Sequence, residues 1–137
     1  MKRAVITITL MLSFHNMQVH AEGIDDLINY YANQAKSETQ SFEGFDSNRG
    51  RDLYLKEFES GKVDTPSCTS CHTNDPTKTG KTRAGKPIEP MAISVNPNRY
   101  QTLKKAEKWF RRNCNSVLGR ECTPTEKGDF LSYMKGS

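Results

Sequence analysis

The chain has 137 residues, with 20 basic against 16 acidic side chains, a formal charge of +4 and a mean hydropathy of −0.76. That is the length of one small domain, and the charge balance is too mild for a nucleic-acid-binding surface. With hydrophobic residues at only 34%, the core is expected to be modest and to need a staple or a cofactor.

Met1 to Ala21 places Lys2 and Arg3 before an apolar run from Ala4 to Phe14. It closes on Val19-His20-Ala21, a small-residue cleavage pattern. The run is too short to span a bilayer comfortably. Residues 1–21 are therefore expected to be a signal peptide, cleaved on export to the periplasm, with no stable membrane insertion afterwards. Cleavage lowers the formal charge from +4 to +2 by removing Lys2 and Arg3. It also removes His15, His20, Met1, Met11 and Met17, which leaves His72 as the single histidine, and Met91 and Met134 as the methionines.

Ile24, Leu27, Ile28 and Tyr31 recur at helical spacing, so the sequence predicts a helix over Ile24 to Ala35. It belongs to an N-terminal extension, residues 22–45, ahead of a core domain over residues 46–137. A second helix is expected from an Asp46 N-cap to Phe58. Gly50 in its interior costs about 1 kcal/mol relative to alanine, and close approach of another helix is the natural reason for it. Gly61 and Pro66 end this stretch.

Cys68-Thr69-Ser70-Cys71-His72 follows, a C-x-x-C-H string and the attachment signature of a c-type haem. Cys68 and Cys71 are the expected thioether positions, spaced to match two vinyl groups on one porphyrin edge, and His72 is the expected proximal ligand. C-x-x-C also serves redox disulfides and zinc sites, but no second C-x-x-C follows and no strand-rich alternation surrounds this one. With His72 the only histidine left, a haem held by two histidines of this chain is excluded. No distal histidine remains for acid–base cleavage of peroxide.

Thr73 to Asn98 is rich in proline and glycine and predicts an ordered loop at the haem edge without a strand. Lys81, Arg83 and Lys86 lie in it as propionate partners or, more commonly for such residues, solvated charges. Pro90, or else Pro87, is the expected carbonyl acceptor for the second ring nitrogen of His72. A third helix is predicted over Pro97 to Asn113, with Trp109 packed in the core against the haem. A fourth starts at the capping box Thr123-Pro124-Thr125-Glu126. Cys114 and Cys122 remain as an even pair, for which a local disulfide is the default in an oxidising compartment. Asn113, next to Cys114, reads either as a helix C-cap or as a weak, hard oxygen ligand suited to ferric iron.

Gly50 and Tyr54, taken with Phe130 and Tyr133, resemble the crossed terminal helices of class I cytochromes c. Pro66-Ser67-Cys68-Thr69-Ser70-Cys71-His72, then Arg83-x-Gly85-Lys86, then Glu107-Lys108-Trp109-Phe110-x-Arg112-Asn113-Cys114 through Gly119-Arg120-x-Cys122-Thr123-Pro124, resemble the SHP family (sphaeroides haem protein). The resemblance implies an all-α class I cytochrome c fold, here with an extra N-terminal helix, and one covalent haem c. It further implies His72 and Asn113 as iron ligands, a Cys114–Cys122 bridge, and binding of O2, NO or CO at a distal site gated by iron oxidation state. A redox partner protein, another c-type cytochrome, is expected on the same ground. At Met91 the chain departs from the family pattern, which has an aliphatic residue there. The competing reading is a Met91-ligated electron-transfer cytochrome without gas binding.

Overall fold

The computed structural model describes residues 23–137, so the expected signal peptide, 1–21, lies outside the described residues. Five helices and one minimal hairpin make up the fold: α1 (Ile24–Glu38), α2 (Ser47–Leu55), α3 (Thr69–His72), β1 (Gly80–Lys81), β2 (Pro87–Ile88), α4 (Leu103–Val117) and α5 (Pro124–Gly136).

Each long helix after the extension starts on a side-chain cap, which satisfies backbone N–H groups that lack an intrahelical partner. Asp46 accepts from the Asn48 and Arg49 amides at the start of α2, and Thr102 accepts from the Lys105 amide at the start of α4. Thr123 and Glu126 close the predicted capping box on α5, with Pro124 in its first turn.

α2 crosses α5, and Gly50 is the crossing point. A Cβ there would run into the Asp129 carbonyl oxygen, so only glycine lets the two backbones meet. The contact is fixed by Arg49, whose Nε and Nη2 donate to the two Asp129 carboxylate oxygens at 2.8 and 2.9 Å, while the Asp46 amide donates to the same carboxylate at 2.7 Å. α1 lies along α5 from the other side. Leu27, Tyr31, Tyr54, Leu131 and Met134 are almost wholly buried between these three helices. Full burial of such side chains contributes roughly 1.5–3 kcal/mol each.

The stretch from Thr73 to Asn98 is mostly irregular, as expected, but it contains a hairpin that the sequence reading did not include. β1 and β2 pair antiparallel, with Gly80 opposite Ile88, around a turn in which Gly85 takes φ +77. A two-residue strand leaves no alternation to detect. α4 also differs from expectation. It begins at Leu103 rather than Pro97 and continues one turn past Asn113, because Thr102 caps it and its last turn is held by neighbours. The Lys62 amide donates to the Ser116 carbonyl at 2.7 Å and the Ser60 hydroxyl to the Leu118 carbonyl at 2.7 Å. Asn113 is therefore an interior helical residue, which removes the C-cap reading.

Candidate functional site

Cys68, Cys71 and His72 sit on or beside the single turn of α3, which leads straight into Thr73 at φ +64. Tyr54 on α2 holds this exit. Its hydroxyl donates to the His72 carbonyl at 3.1 Å and to the Thr73 carbonyl at 2.8 Å. Behind the turn, Gly80 lies so close to the Cys71 carbonyl that no side chain fits between β1 and α3. The thiols of Cys68 and Cys71 are free and half-buried.

Burial pushes the Cys68 thiol up to about 11. Redox-active C-x-x-C cysteines have the opposite shift, since they work as thiolates. Burial, then the nearby charge of Arg99, pushes the His72 imidazole down to about 4. It is thus neutral at ordinary pH, the form that binds a metal. Its Nδ1 is buried with no hydrogen-bond partner among the described residues. The Pro90 carbonyl does not meet it. That carbonyl accepts from Asn96 Nδ2 at 3.2 Å instead, so the expected Pro90–His72 contact is not formed.

Met91 is 7% exposed and packs in the main core cluster with Tyr54, Tyr100, Leu131 and Met134. Its backbone is pinned on both sides: the amide donates to the Pro76 carbonyl at 2.8 Å, and the carbonyl accepts from the Tyr100 hydroxyl at 3.0 Å.

α4 carries the other half of the candidate site. Leu103, Ala106 and Phe110 make up its apolar strip, yet all three are only partly buried, and no other helix packs closely along it among the described residues. Asn113 follows Trp109 by four residues and Phe110 by three, so it continues the edge of this strip. It is exposed and makes no side-chain hydrogen bond among the described residues. Trp109 is 46% exposed with protein groups alone around it, with the Arg112 guanidinium 5.1 Å from its ring centre. One residue beyond Asn113, Cys114 pairs with Cys122 across a Cα separation of 5.6 Å. Arg83 is paired with Asp64, while Lys81 and Lys86 are exposed.

A helix with a half-covered apolar strip, a buried imidazole nitrogen without a partner among the described residues and two free, half-buried thiols on one turn together fit a covalently held haem. Those residues would supply its attachment points, its proximal ligand and an apolar wall. Two further groups escaped the sequence reading. Tyr54 was expected only as a packing aromatic, and nothing in its spacing told of two carbonyls at its hydroxyl. Glu107 on α4 accepts from the Tyr31 hydroxyl at 2.6 Å and from Lys127 Nζ at 2.9 Å, which ties α4 to α1 and α5 at once. Those three residues stand far apart in the chain, so no local pattern could have joined them.

Comparison with known proteins gives the same frame. Residues 40–134 match the family described as a domain of unknown function, DUF1924. The chain is 53% identical to the cytochrome c-type protein SHP of Cereibacter sphaeroides over 89 residues, 65% of this chain and 69% of that protein. It is 34% identical to cytochrome c'' of Methylophilus methylotrophus over 111 residues, 80% of this chain and 77% of that protein. Among solved structures it resembles oxidised SHP, an oxygen-binding cytochrome c, with a TM-score of 0.78 and 44% identity over 85% of this chain and 98% of that one. Oxidised cytochrome c'' from M. methylotrophus superposes with a TM-score of 0.70 and 34% identity, over 81% of this chain and 91% of that one. With the C-x-x-C-H turn, the crossed α2–α5 pair and these matches together, the chain belongs to the SHP family of c-type cytochromes.

Proposed function

We propose that this chain is an exported, periplasmic monohaem c-type cytochrome that takes up O2, NO or CO at a site opened by reduction and exchanges single electrons with a partner protein. The haem supplies an iron that changes charge by one and binds small gases when a coordination position is open. Cys68 and Cys71 hold it as thioethers, and the neutral His72 imidazole supports it from the proximal side. Tyr54 fixes the backbone that carries His72. The observation that carries the distal assignment is Asn113: an exposed amide inside α4, without a hydrogen-bond partner among the described residues, on the edge of the half-covered strip.

An amide oxygen is a hard, neutral, weak ligand. Asn113 is suited to ferric iron and releases ferrous iron more readily, following hard–soft preference. Its neighbour Cys114 is tied to Cys122, so the release is a side-chain movement rather than a shift of the helix. The Met91 alternative finds less support, because that side chain is already buried in the main core cluster and its backbone is pinned at both ends.

UV–visible spectra of oxidised, reduced and CO-treated protein test this reading. Asn113→Ala is expected to leave ferric iron water-bound or five-coordinate while ferrous CO uptake stays within about twofold, as a difference of less than ~0.5 kcal/mol. Met91→Ala is expected to leave both spectra unchanged. If Met91→Ala turns a low-spin spectrum high-spin and Asn113→Ala does nothing, the electron-carrier reading replaces this one.

A further inference from the structure

α4 carries five cations, Lys104, Lys105, Lys108, Arg111 and Arg112, and one carboxylate, Glu107. Its net +4 compares with +2 for the exported chain, so the rest of the exported protein carries −2. All five cations are exposed, and none pairs with a carboxylate among the described residues. Elsewhere the described cations include six in ion pairs: Arg49, Arg51, Arg83, Arg120, Lys127 and Lys135. Glu107 spends its hydrogen bonds inward on Tyr31 and Lys127, and of the five cations it offsets only the nearby charge of Arg111.

Like charges three and four residues apart on a helix destabilise it by a few tenths of a kcal/mol per pair. Lys104–Lys108, Lys105–Lys108, Lys108–Arg111 and Lys108–Arg112 all stand at that spacing. A solvated helix surface needs no such concentration of one sign, since alternating charges would solvate as well and stabilise the helix. The stripe also reaches the distal edge, because Arg112 lies over Trp109, four residues before Asn113.

From this segregation we infer that the solvent-facing side of α4 is the docking surface for an acidic redox protein. The inference rests on the electron-exchange part of the function proposed above. A partner with a carboxylate-rich surface meets the stripe with complementary potential, which raises the encounter rate and orients the pair with α4 between them. The electron that reduces the ferric protein is supplied by the partner's own reduced centre, which is oxidised by one electron in turn.

Stopped-flow reduction by flavodoxin hydroquinone, a small acidic one-electron donor, tests the surface. The rate for the holoprotein is expected to fall steeply with ionic strength. K105E/K108E/R111E is expected to slow it by about tenfold or more and to flatten the salt dependence. The milder K105Q/K108Q is expected to fall between, which guards against a folding defect in the reversal. Reduction by a neutral hydroquinone and the CO spectrum of the ferrous protein should be the same in all three. Equal flavodoxin rates would overturn the inference, as would an equal loss on K81E/K86E, which would move the surface to the hairpin. Co-sedimentation with phosphatidylglycerol vesicles, abolished by K105E/K108E/R111E while the flavodoxin rate stays unchanged, would assign the stripe to lipid headgroups instead. Loss of the CO adduct in the unsubstituted protein would refute the gas-binding reading alone.

Discussion

Leu27, Tyr31, Tyr54, Leu131 and Met134 lie where α1 and α2 meet α5, nearly all of their surface withdrawn from water. Along α4, by contrast, only Cys114 and Val117 are buried, although the helix is as long as α1. The first region is closed by protein contacts: a glycine at the crossing, a bidentate Arg49–Asp129 pair and interlocked aromatics, with Tyr54 5.7 Å from Tyr133 and 6.2 Å from Phe130 between ring centres. The second is held by point attachments, namely the Glu107 contacts, the Phe110 ring against Tyr31 and Phe130, the clasp from Ser60 to Lys62 and the Cys114–Cys122 pair. One half of the domain stands on its own packing. The other half leaves an apolar strip that protein only half covers.

The sharpest way to break this comparison is to prevent attachment. C68S/C71S is expected to abolish covalent haem, read as loss of the protein-bound haem signal in mass analysis after acid–acetone extraction. Amide hydrogen exchange should then rise by about tenfold or more across Ala106 to Asn113, while Leu131 to Met134 keep the larger share of their protection. Equal loss in both regions would show that the α1–α2–α5 cluster depends on the haem as much as α4 does.

The same contrast explains what could be read in the chain beforehand. Asp46, Thr123 and Glu126 announced helix starts because caps are local chemistry, and Gly50 announced a crossing because a glycine inside a helix needs a reason. C-x-x-C-H is local too. The end of α4 was misplaced because its last turn is held by Lys62 and Ser60, more than fifty residues earlier in the chain. Trp109 reads as packing against the haem because an apolar residue at helical spacing usually faces a core, and the strip it borders on α4 is only half covered by protein. The hairpin at Gly80 and the Tyr31–Glu107–Lys127 contacts are products of tertiary proximity and leave no periodic trace.

Within the protein-closed half, the largest single effect is expected at the crossing. In Gly50→Ala the new methyl meets the Asp129 carbonyl, which is backbone and cannot swing aside. The helices must separate, and Arg49 loses its alignment on Asp129. A loss of about 1–3 kcal/mol is expected, measured by denaturant titration of the holoprotein. Unchanged stability would mean that the two backbones are not in contact. A matching change at Gly85, where a Cβ meets nothing nearby but φ is +77, should cost less and leave the crossing intact.

The smallest effect separates the two halves by pH, through Glu107, a carboxylate that joins them. Burial alone would raise the Glu107 carboxyl, but the hydrogen bonds from Tyr31 and Lys127, with the charges of Lys127 and Arg111, outweigh it and hold it below the ordinary carboxylate range. A group whose value is depressed on folding contributes stability above its unfolded value and loses that contribution as the pH falls through the folded one. The attachment of α4 to α1 and α5 is thus complete at neutral pH and weakens on acidification below about pH 4.3, the ordinary value of a glutamate. Protonation removes the charge that Lys127, only 11% exposed, relies on. Glu107→Gln is expected to copy the acid state at neutral pH: faster amide exchange in α4 around Phe110, a smaller change in α5, and little further response to acid at those amides. If α4 in the Gln variant still loosens on acidification as much as the unsubstituted protein does, the pH response belongs to another carboxylate, and Glu107 is not the link between the two halves.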